Sequence, residues 1–249
     1  MDHEADVIEN VKRNALNDNF SKVSMEFIRE SVTAKYSYNF SWLGRPIIQY
    51  PQDVMALQEI IWSVQPDLII ETGIAHGGSL IFSAAMMELL DICSGSETNS
   101  INRKVMGIDI ELREHNRIAL DAHPLRDRIM ILEGSSISPV IIEQVRDVAY
   151  NHERSMVCLD SNHAHEHVLA ELSFYAPLVS IGSYCVVFDT LIEDLPSGSF
   201  PDRPWDKGDN PKTAVRHFLS EHANFEIDTT IESKLMITAA PEGYLKRVR

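Results

Sequence analysis

Apolar residues follow two rhythms along this chain. From Asp6 to about Val32, the residues Val7, Val11, Leu16, Phe20, Val23, Phe27 and Ile28 recur at roughly helical spacing with charges between them, which predicts one or two amphipathic helices. After Pro66 the apolar residues come instead in short continuous runs, the texture of strands buried on both faces. The runs are Asp67-Leu-Ile-Ile-Glu71, Val105-Met-Gly-Ile-Asp109, Arg128-Ile-Met-Ile-Leu-Glu133, Ser155-Met-Val-Cys-Leu-Asp160 and Ser183-Tyr-Cys-Val-Val-Phe-Asp189. Helical patterns alternate with them: Gln52 to Val64 between two prolines, Ser79 through Leu90, a helix opened by Ser138-Pro139, and Val168 to Tyr175. This alternation predicts an α/β fold with a doubly wound, mostly parallel sheet whose ligands bind at the carboxyl ends of the strands. Further on, Lys212 to Leu219 reads as a short helix, Phe225–Asp228 and Leu235–Thr238 as terminal strands, and Tyr244-Leu-Lys-Arg-Val-Arg249 as a basic tail.

Three stretches break both rhythms. Tyr36 to Pro51 is rich in aromatics and interrupted by Gly44 and Pro46, which predicts an ordered loop; Trp42 and Tyr50 would either wall a pocket or cover core. Ser94 to Arg103 reads as a polar surface excursion. Leu195 to Pro211 has no period, several Pro and Gly, and the large aromatics Phe200 and Trp205, a composition that fits either a lid or a disordered segment. The domain reading is a helical extension and aromatic loop over residues 1–50, then one domain over 51–249 with a lid near 190–211.

Acidic residues outnumber basic ones by 37 to 22, for a net charge of −15, and no Lys/Arg cluster stands out. Such a surface excludes nucleic acid as an expected partner. The first residues have neither the basic region nor the apolar run of a signal peptide, and no apolar stretch is long enough to span a bilayer, so a cytoplasmic location is expected. Cys93, Cys158 and Cys185 are odd in number and widely spaced, which argues for reduced thiols over disulfides or a zinc site. The amphipathic N-terminal helices suit packing across the sheet or against another subunit, and a homo-oligomer is expected.

The richest chemistry lies in Glu71-Thr-Gly73-Ile-Ala-His76-Gly77-Gly-Ser79. Glycines there let backbone approach a ligand, and the helix that follows offers free N–H groups. The spacing, E-x-G-x-x-x-G-G, is not the G-x-G-x-x-G of a dinucleotide site, and a carboxylate at the strand tip suits a cationic or hydroxyl-bearing ligand better than a pyrophosphate. An ordinary strand-to-helix turn would read similarly. Asp109, at the tip of the next strand, could accept ribose hydroxyls or cap the helix after it. Glu71, Asp109, Asp160 and Asp189 all fall on one sheet edge, which suggests a cationic or hydroxyl-rich ligand together with a divalent metal.

An ordered set of motifs then stands out: Trp42-x-Gly-x-Pro46, Gln49-Tyr-Pro-x-Asp53, Pro66-Asp-Leu-Ile-Ile-Glu-Thr-Gly73 with Gly77-Gly-Ser79, Gly107-Ile-Asp109, Asp160-Ser-Asn-His163, His167-Val-Leu-x-Glu-Leu172, Tyr175-Ala-Pro-Leu-Val179, Asp189-Thr190 and Asn210-Pro-x-Thr-Ala-Val215. In these the chain resembles the cephalosporin hydroxylase/rhamnosyl O-methyltransferase family of Rossmann-like, S-adenosylmethionine-dependent methyltransferases, over nearly everything after Tyr36. The resemblance implies a seven-stranded sheet. It also implies a cofactor site in which Glu71 and Gly73, with His76, Gly77 and Ser79, line the methionine end, Asp109 takes the ribose, and Ser135 or Ser136 lies near the adenine. Asp160 borders both cofactor and metal; Mg²⁺ would be held by Asp160 and Asp189, with Phe188 standing where the family's second acid is expected. His163, three residues after the first metal Asp, occupies the position of the family's base. Histidine is suited to that task because its ordinary titration lies near neutrality, and the acceptor would be a small molecule or saccharide bounded by Trp42, Tyr50 and Trp205. His165 and His167 are expected to face solvent or start a helix. Two other functions compete: an iron-dependent hydroxylase, although H-x-D/E is missing from His163-x-His165-x-His167, and a cofactor-binding pathway partner without activity.

Overall fold

The computed structural model describes residues 3–95 and 103–249, so most of the polar excursion predicted from Ser94 to Arg103 lies outside the described residues. The chain opens with α1 (His3–Ala15) and α2 (Asp18–Thr33). Asn17 caps α2, its side chain accepting from the Phe20 amide at 3.0 Å. None of α1 is buried, whereas α2 sends Ile28 into the core. In place of the predicted loop, β1 (Phe40–Trp42) and β2 (Arg45–Ile47) pair as an antiparallel hairpin. Its turn runs through Leu43 and Gly44, both at positive φ. Strands this short show no alternation in sequence.

Next come α3 (Pro51–Val64), β3 (Leu68–Thr72), α4 (Gly78–Ser94), β4 (Lys104–Asp109), α5 (Glu114–Asp121), β5 (Ile129–Glu133), α6 (Pro139–Ala149), β6 (Ser155–Leu159), α7 (His165–Tyr175) and β7 (Tyr184–Val187). The chain closes with α8 (Pro211–Glu221), β8 (Phe225–Ile227), α9 (Thr229–Leu235) and β9 (Tyr244–Arg247). Seven strands form one sheet in the order β5-β4-β3-β6-β7-β9-β8. Pairing is parallel from β5 to β7 and antiparallel on both sides of β9.

The terminal strands differ from expectation. Residues read as a strand at Leu235–Thr238 instead finish α9 and turn at Met236, where φ is +59°. The strand is the basic tail. Tyr244 and Leu245 are fully buried between β7 and β8, and the Lys246 ammonium lies 5.7 Å from the centre of the Tyr184 ring. Two apolar residues followed by cations give neither a run nor an alternation to read.

Period-two alternation sorts the core into two layers. Leu68, Ile70, Val157 and Leu159 face α6, α7 and α8, while Ile69 and Met156 face α3 and α4. The same alternation turns Glu71 toward α4. The sheet reverses its winding between β3, whose sequel β4 lies on one side, and β6 on the other, so a crevice opens beyond their carboxyl ends. Cys158 and Cys185 are buried, Cys93 is exposed, and all three are free thiols. Among the described residues no helix is long and apolar enough to cross a membrane.

Candidate active site

The turn after β3 is squeezed between β6 and the hairpin. A Cβ on Gly73, where φ is +87°, would lie 2.0 Å from the Asp160 carbonyl oxygen, and one on Gly78 would lie 2.1 Å from that of Pro46. Only glycine fits either place. Asp109 pins the turn from β4: its Oδ2 accepts from the amides of Ile74 at 2.8 Å and Ala75 at 3.1 Å, and its Oδ1 from Glu111 at 3.2 Å. It does not cap α5, which starts later, at Glu114. Three of the roughly four lone-pair directions of a carboxylate are thereby filled, leaving one for a ligand hydroxyl. From the hairpin, Arg45 Nε donates to the His76 carbonyl at 3.0 Å and its Nη2 to Asn116 Oδ1 at 2.7 Å, so His76 contributes its backbone to the anchoring of the turn. Gly77 packs on Leu120.

A cavity lies beside this turn, lined by Gly73, Asp109, Ser135, Ser136, Ser161 and His167 among others. Behind the turn, Ser79 Oγ donates to Glu71, which is 4% exposed. Burial pushes the Glu71 carboxyl up to about 7, against the opposing pull of the Ser79 hydrogen bond. A buried acid with a single hydrogen bond is ready to ionise when a cation arrives beside it.

On the next strand tips, Asp160, His163 and Asp189 each offer one ligand atom, all within 4.8 Å of one another. His163 Nε2 lies 3.2 Å from Asp189 Oδ2, and the His163 ring meets Trp205 edge-on at 4.7 Å between centroids. Asp189 sits at φ +56°, a left-handed conformation that Asp tolerates better than most residues. Loss of solvation, with the neighbouring charges of Asp189 and Glu71, holds the Asp160 carboxyl well above its ordinary range. Such crowding of acids would be relieved by a cation. Phe188 adds no ligand; it is buried in the core layer of α3 and α4. One imidazole and two carboxylates is also not the two-His-one-carboxylate face that an iron-dependent hydroxylase needs.

The segment after β7 is tethered, not loose. Asp206 accepts from Ser197 Oγ at 2.5 Å and from the Gly198 amide at 3.0 Å, and Glu193 accepts from the Gly208 amide at 2.8 Å and Asn210 Nδ2 at 2.6 Å. Asn210 and Thr213 then form a capping box at the start of α8. This loop lays Trp205 on His163. Trp42 packs edge-on against Phe82 with centroids 5.0 Å apart, and the Tyr50 hydroxyl shares a 2.6 Å hydrogen bond with Ser31. Neither lines the cavity.

Two residues given no active role from sequence join the site. Gln49, buried, donates from Nε2 to Asp160 Oδ2 at 3.1 Å, while its Oε1 is sealed off without a partner among the described residues. In the sequence it showed only as the first residue of the Gln49-Tyr-Pro-x-Asp53 motif, with no role attached to it. His167, expected at the surface or a helix start, lines the cavity; its four-residue spacing from Glu171 on α7 was the available clue.

Comparison with known proteins places this site in context. A family model described as Rhamnosyl O-methyltransferase/CmcI matches residues 34–248. The chain is 32% identical over 198 residues to a rhamnosyl O-methyltransferase of Mycobacterium tuberculosis, covering 78% of this chain and 73% of the relative. It is 30% identical over 209 residues to the Mycobacterium leprae rhamnosyl O-methyltransferase, covering 83% and 82%. A CmcI structure with Mg and SAM shares the fold with a TM-score of 0.56 and 17% identity, over 85% of this chain and 78% of that one. The matched span runs from the aromatic stretch to the last strand and takes in the glycine turn, the acid cluster and the Trp205 loop: the chain belongs to the Rhamnosyl O-methyltransferase/CmcI family.

Proposed function

We propose that this chain is an S-adenosylmethionine-dependent O-methyltransferase acting on a hydroxyl of a sugar or a glycosylated small molecule, assisted by a divalent cation such as Mg²⁺. One observation carries the reading: the glycine-turn cavity and the Asp160–His163–Asp189 cluster lie on adjoining strand tips, so a methyl donor in the first would face a base in the second. The residues present fit both groups. A turn that only glycine can form leaves room for the donor, Glu71 would meet its ammonium group, Asp109 a ribose hydroxyl, and Ser135 and Ser136 the adenine side. Crowded acids and the orphaned Gln49 Oε1 suit a cation held by Asp160 and Asp189. The donor supplies an electrophilic sulfonium methyl, and the cation supplies charge that orients and acidifies a hydroxyl.

The rest of the chemistry belongs to side chains of this chain. Nε2 of His163 faces Asp189, which leaves Nδ1, without a hydrogen-bond partner among the described residues, to take the acceptor's proton. Asp189 then stabilises the imidazolium that results, much as a carboxylate does in a hydrolase triad. Trp205 covers the ring and keeps water from competing, and Gln49 holds the Asp160 carboxylate in place.

His163→Ala tests the reading, with methyl transfer to a panel of rhamnosylated and other sugar acceptors assayed with and without Mg²⁺. Turnover should fall by about 10²–10⁴-fold, the range for loss of a general base, while S-adenosylhomocysteine binds within about twofold of wild type. Full turnover in the variant removes His163 as the base. Failure of the wild-type protein to bind S-adenosylhomocysteine at all removes the methyltransferase reading.

A further inference from the structure

Beneath the cavity runs a buried polar chain that the reaction above does not use. Glu171, on α7, is fully buried, and Ser161 Oγ donates to its Oε1 at 2.7 Å. His167 stands between this pair and the cavity. Its Nε2 lies 3.3 Å from Ser161 Oγ, 3.1 Å from Ser136 Oγ and 3.6 Å from Glu171 Oε1. The Ser136 segment is itself fixed, because the Tyr175 hydroxyl donates to its carbonyl at 2.6 Å.

Counting protons favours one tautomer of the ring, because an Nε2–H can serve both serine oxygens whereas a bare Nε2 could accept only from Ser136. A hydroxyl has one proton to give, and that of Ser161 goes to Glu171. The contact between Ser161 and His167 can therefore be a hydrogen bond only if Nε2–H is the donor. In the neutral ring this leaves the lone pair on Nδ1. Nδ1 has no hydrogen-bond partner among the described residues and is not sealed from solvent, and the residue that carries it lines the cavity.

We propose that His167 is a specificity-determining residue for the base of the bound nucleoside, an acceptor fixed by Ser161 and Glu171 that takes a hydrogen bond from an exocyclic amino group. The inference rests on the proposed reading of this cavity as the adenosyl site. Adenine carries an amino donor at position 6. Hypoxanthine carries a carbonyl oxygen there, which would set lone pair against lone pair. A site that offers an acceptor there disfavours the oxo analogue, because two lone pairs would face each other where an amino group would have donated a hydrogen bond.

Calorimetry with S-adenosylhomocysteine and S-inosylhomocysteine tests this directly. Wild-type protein should prefer the adenosyl compound by at least about tenfold, and His167→Phe should bring the two within about threefold of each other. A wild-type protein that binds both equally, or a His167→Phe protein that keeps the full preference, overturns the proposal. If neither compound binds wild type, the cavity reading itself fails, a separate outcome. The nitrogen-15 spectrum of wild-type His167 gives a second reading that needs no variant: a neutral ring protonated at Nε2, with the Nδ1 resonance shifting when S-adenosylhomocysteine is added. A ring protonated at Nδ1 is incompatible with the proposal.

Discussion

Glu71 is an acid held without a counter-charge among the described residues, and this ties its proton to ligand binding. Burial raises its carboxyl to about 7, so near pH 6 most of it is protonated in the free protein. A ligand ammonium placed against it would favour the ionised form and expel that proton. Binding of S-adenosylhomocysteine at pH 6 should therefore release up to one proton, seen as a binding enthalpy that changes with the ionisation enthalpy of the buffer. Glu71→Gln should abolish that dependence and weaken binding about tenfold, roughly the worth of one charge-assisted hydrogen bond. Identical enthalpies in phosphate and Tris would contradict the pairing. Glu71 was legible in the sequence for the same reason as Asp109, Asp160 and Asp189: each ends an apolar run, and a run that stops at an acid marks a strand tip. Gln49 and His167 were not legible in that way. Each gains its place from a contact with a residue distant in sequence, Gln49 with Asp160 and His167 with Ser136, and no local pattern encodes such a crossing.

Among the elements, the segment between β7 and α8 joins order to function most directly. Its far end depends on Asn210, fully buried, which caps α8 through the Lys212 and Thr213 amides and reaches back to Glu193 and the Asp206 carbonyl. Asn210→Ala should cost about 1–2 kcal/mol from the cap alone. It should also loosen the loop that lays Trp205 on His163. The expected outcome is a kcat lowered about tenfold with S-adenosylhomocysteine affinity unchanged, and faster proteolytic cleavage between residues 195 and 209. A variant with normal kcat would show that Trp205 does not need this anchor. The parallel strands and their helices were readable because burial on both faces leaves continuous apolar runs. The β1–β2 hairpin and β9 escaped because each is an antiparallel element of three or four residues, too short to show a period, so only partners across the sheet make them strands.

For the molecule as a whole, the gathering of acids at one end of the sheet has a thermodynamic consequence as well as a chemical one. Asp53 lies fully buried below the cluster, joining α3 to the C-terminal segment through the Thr238 hydroxyl, the Ala239 amide at 2.8 Å and the Tyr244 hydroxyl at 2.7 Å. Burial raises its carboxyl to about 6 despite those three hydrogen bonds, and Glu71 and Asp160 are raised as well. In each case the native state holds its proton more tightly than the unfolded chain, which is the reverse of a salt-bridged acid. The stability they contribute is complete below the ordinary carboxylate range and is lost as pH rises through the native values, near 6 for Asp53 and near 7 for Glu71. The net charge of −15 works in the same direction, since self-repulsion eases as acids take up protons. Free of ligands, the protein should thus gain about 2 kcal/mol of unfolding free energy between pH 8 and pH 5.5, at about 1.4 kcal/mol per pH unit for each proton taken up. Urea denaturation at the two pH values measures the gain, and Glu71→Gln should remove most of it. A divalent cation held by Asp160 and Asp189 should narrow the difference from the other side, by stabilising the ionised cluster at pH 8 more than at pH 5.5. If added Mg²⁺ raised stability equally at both pH values, the ion would be binding somewhere other than these strand tips.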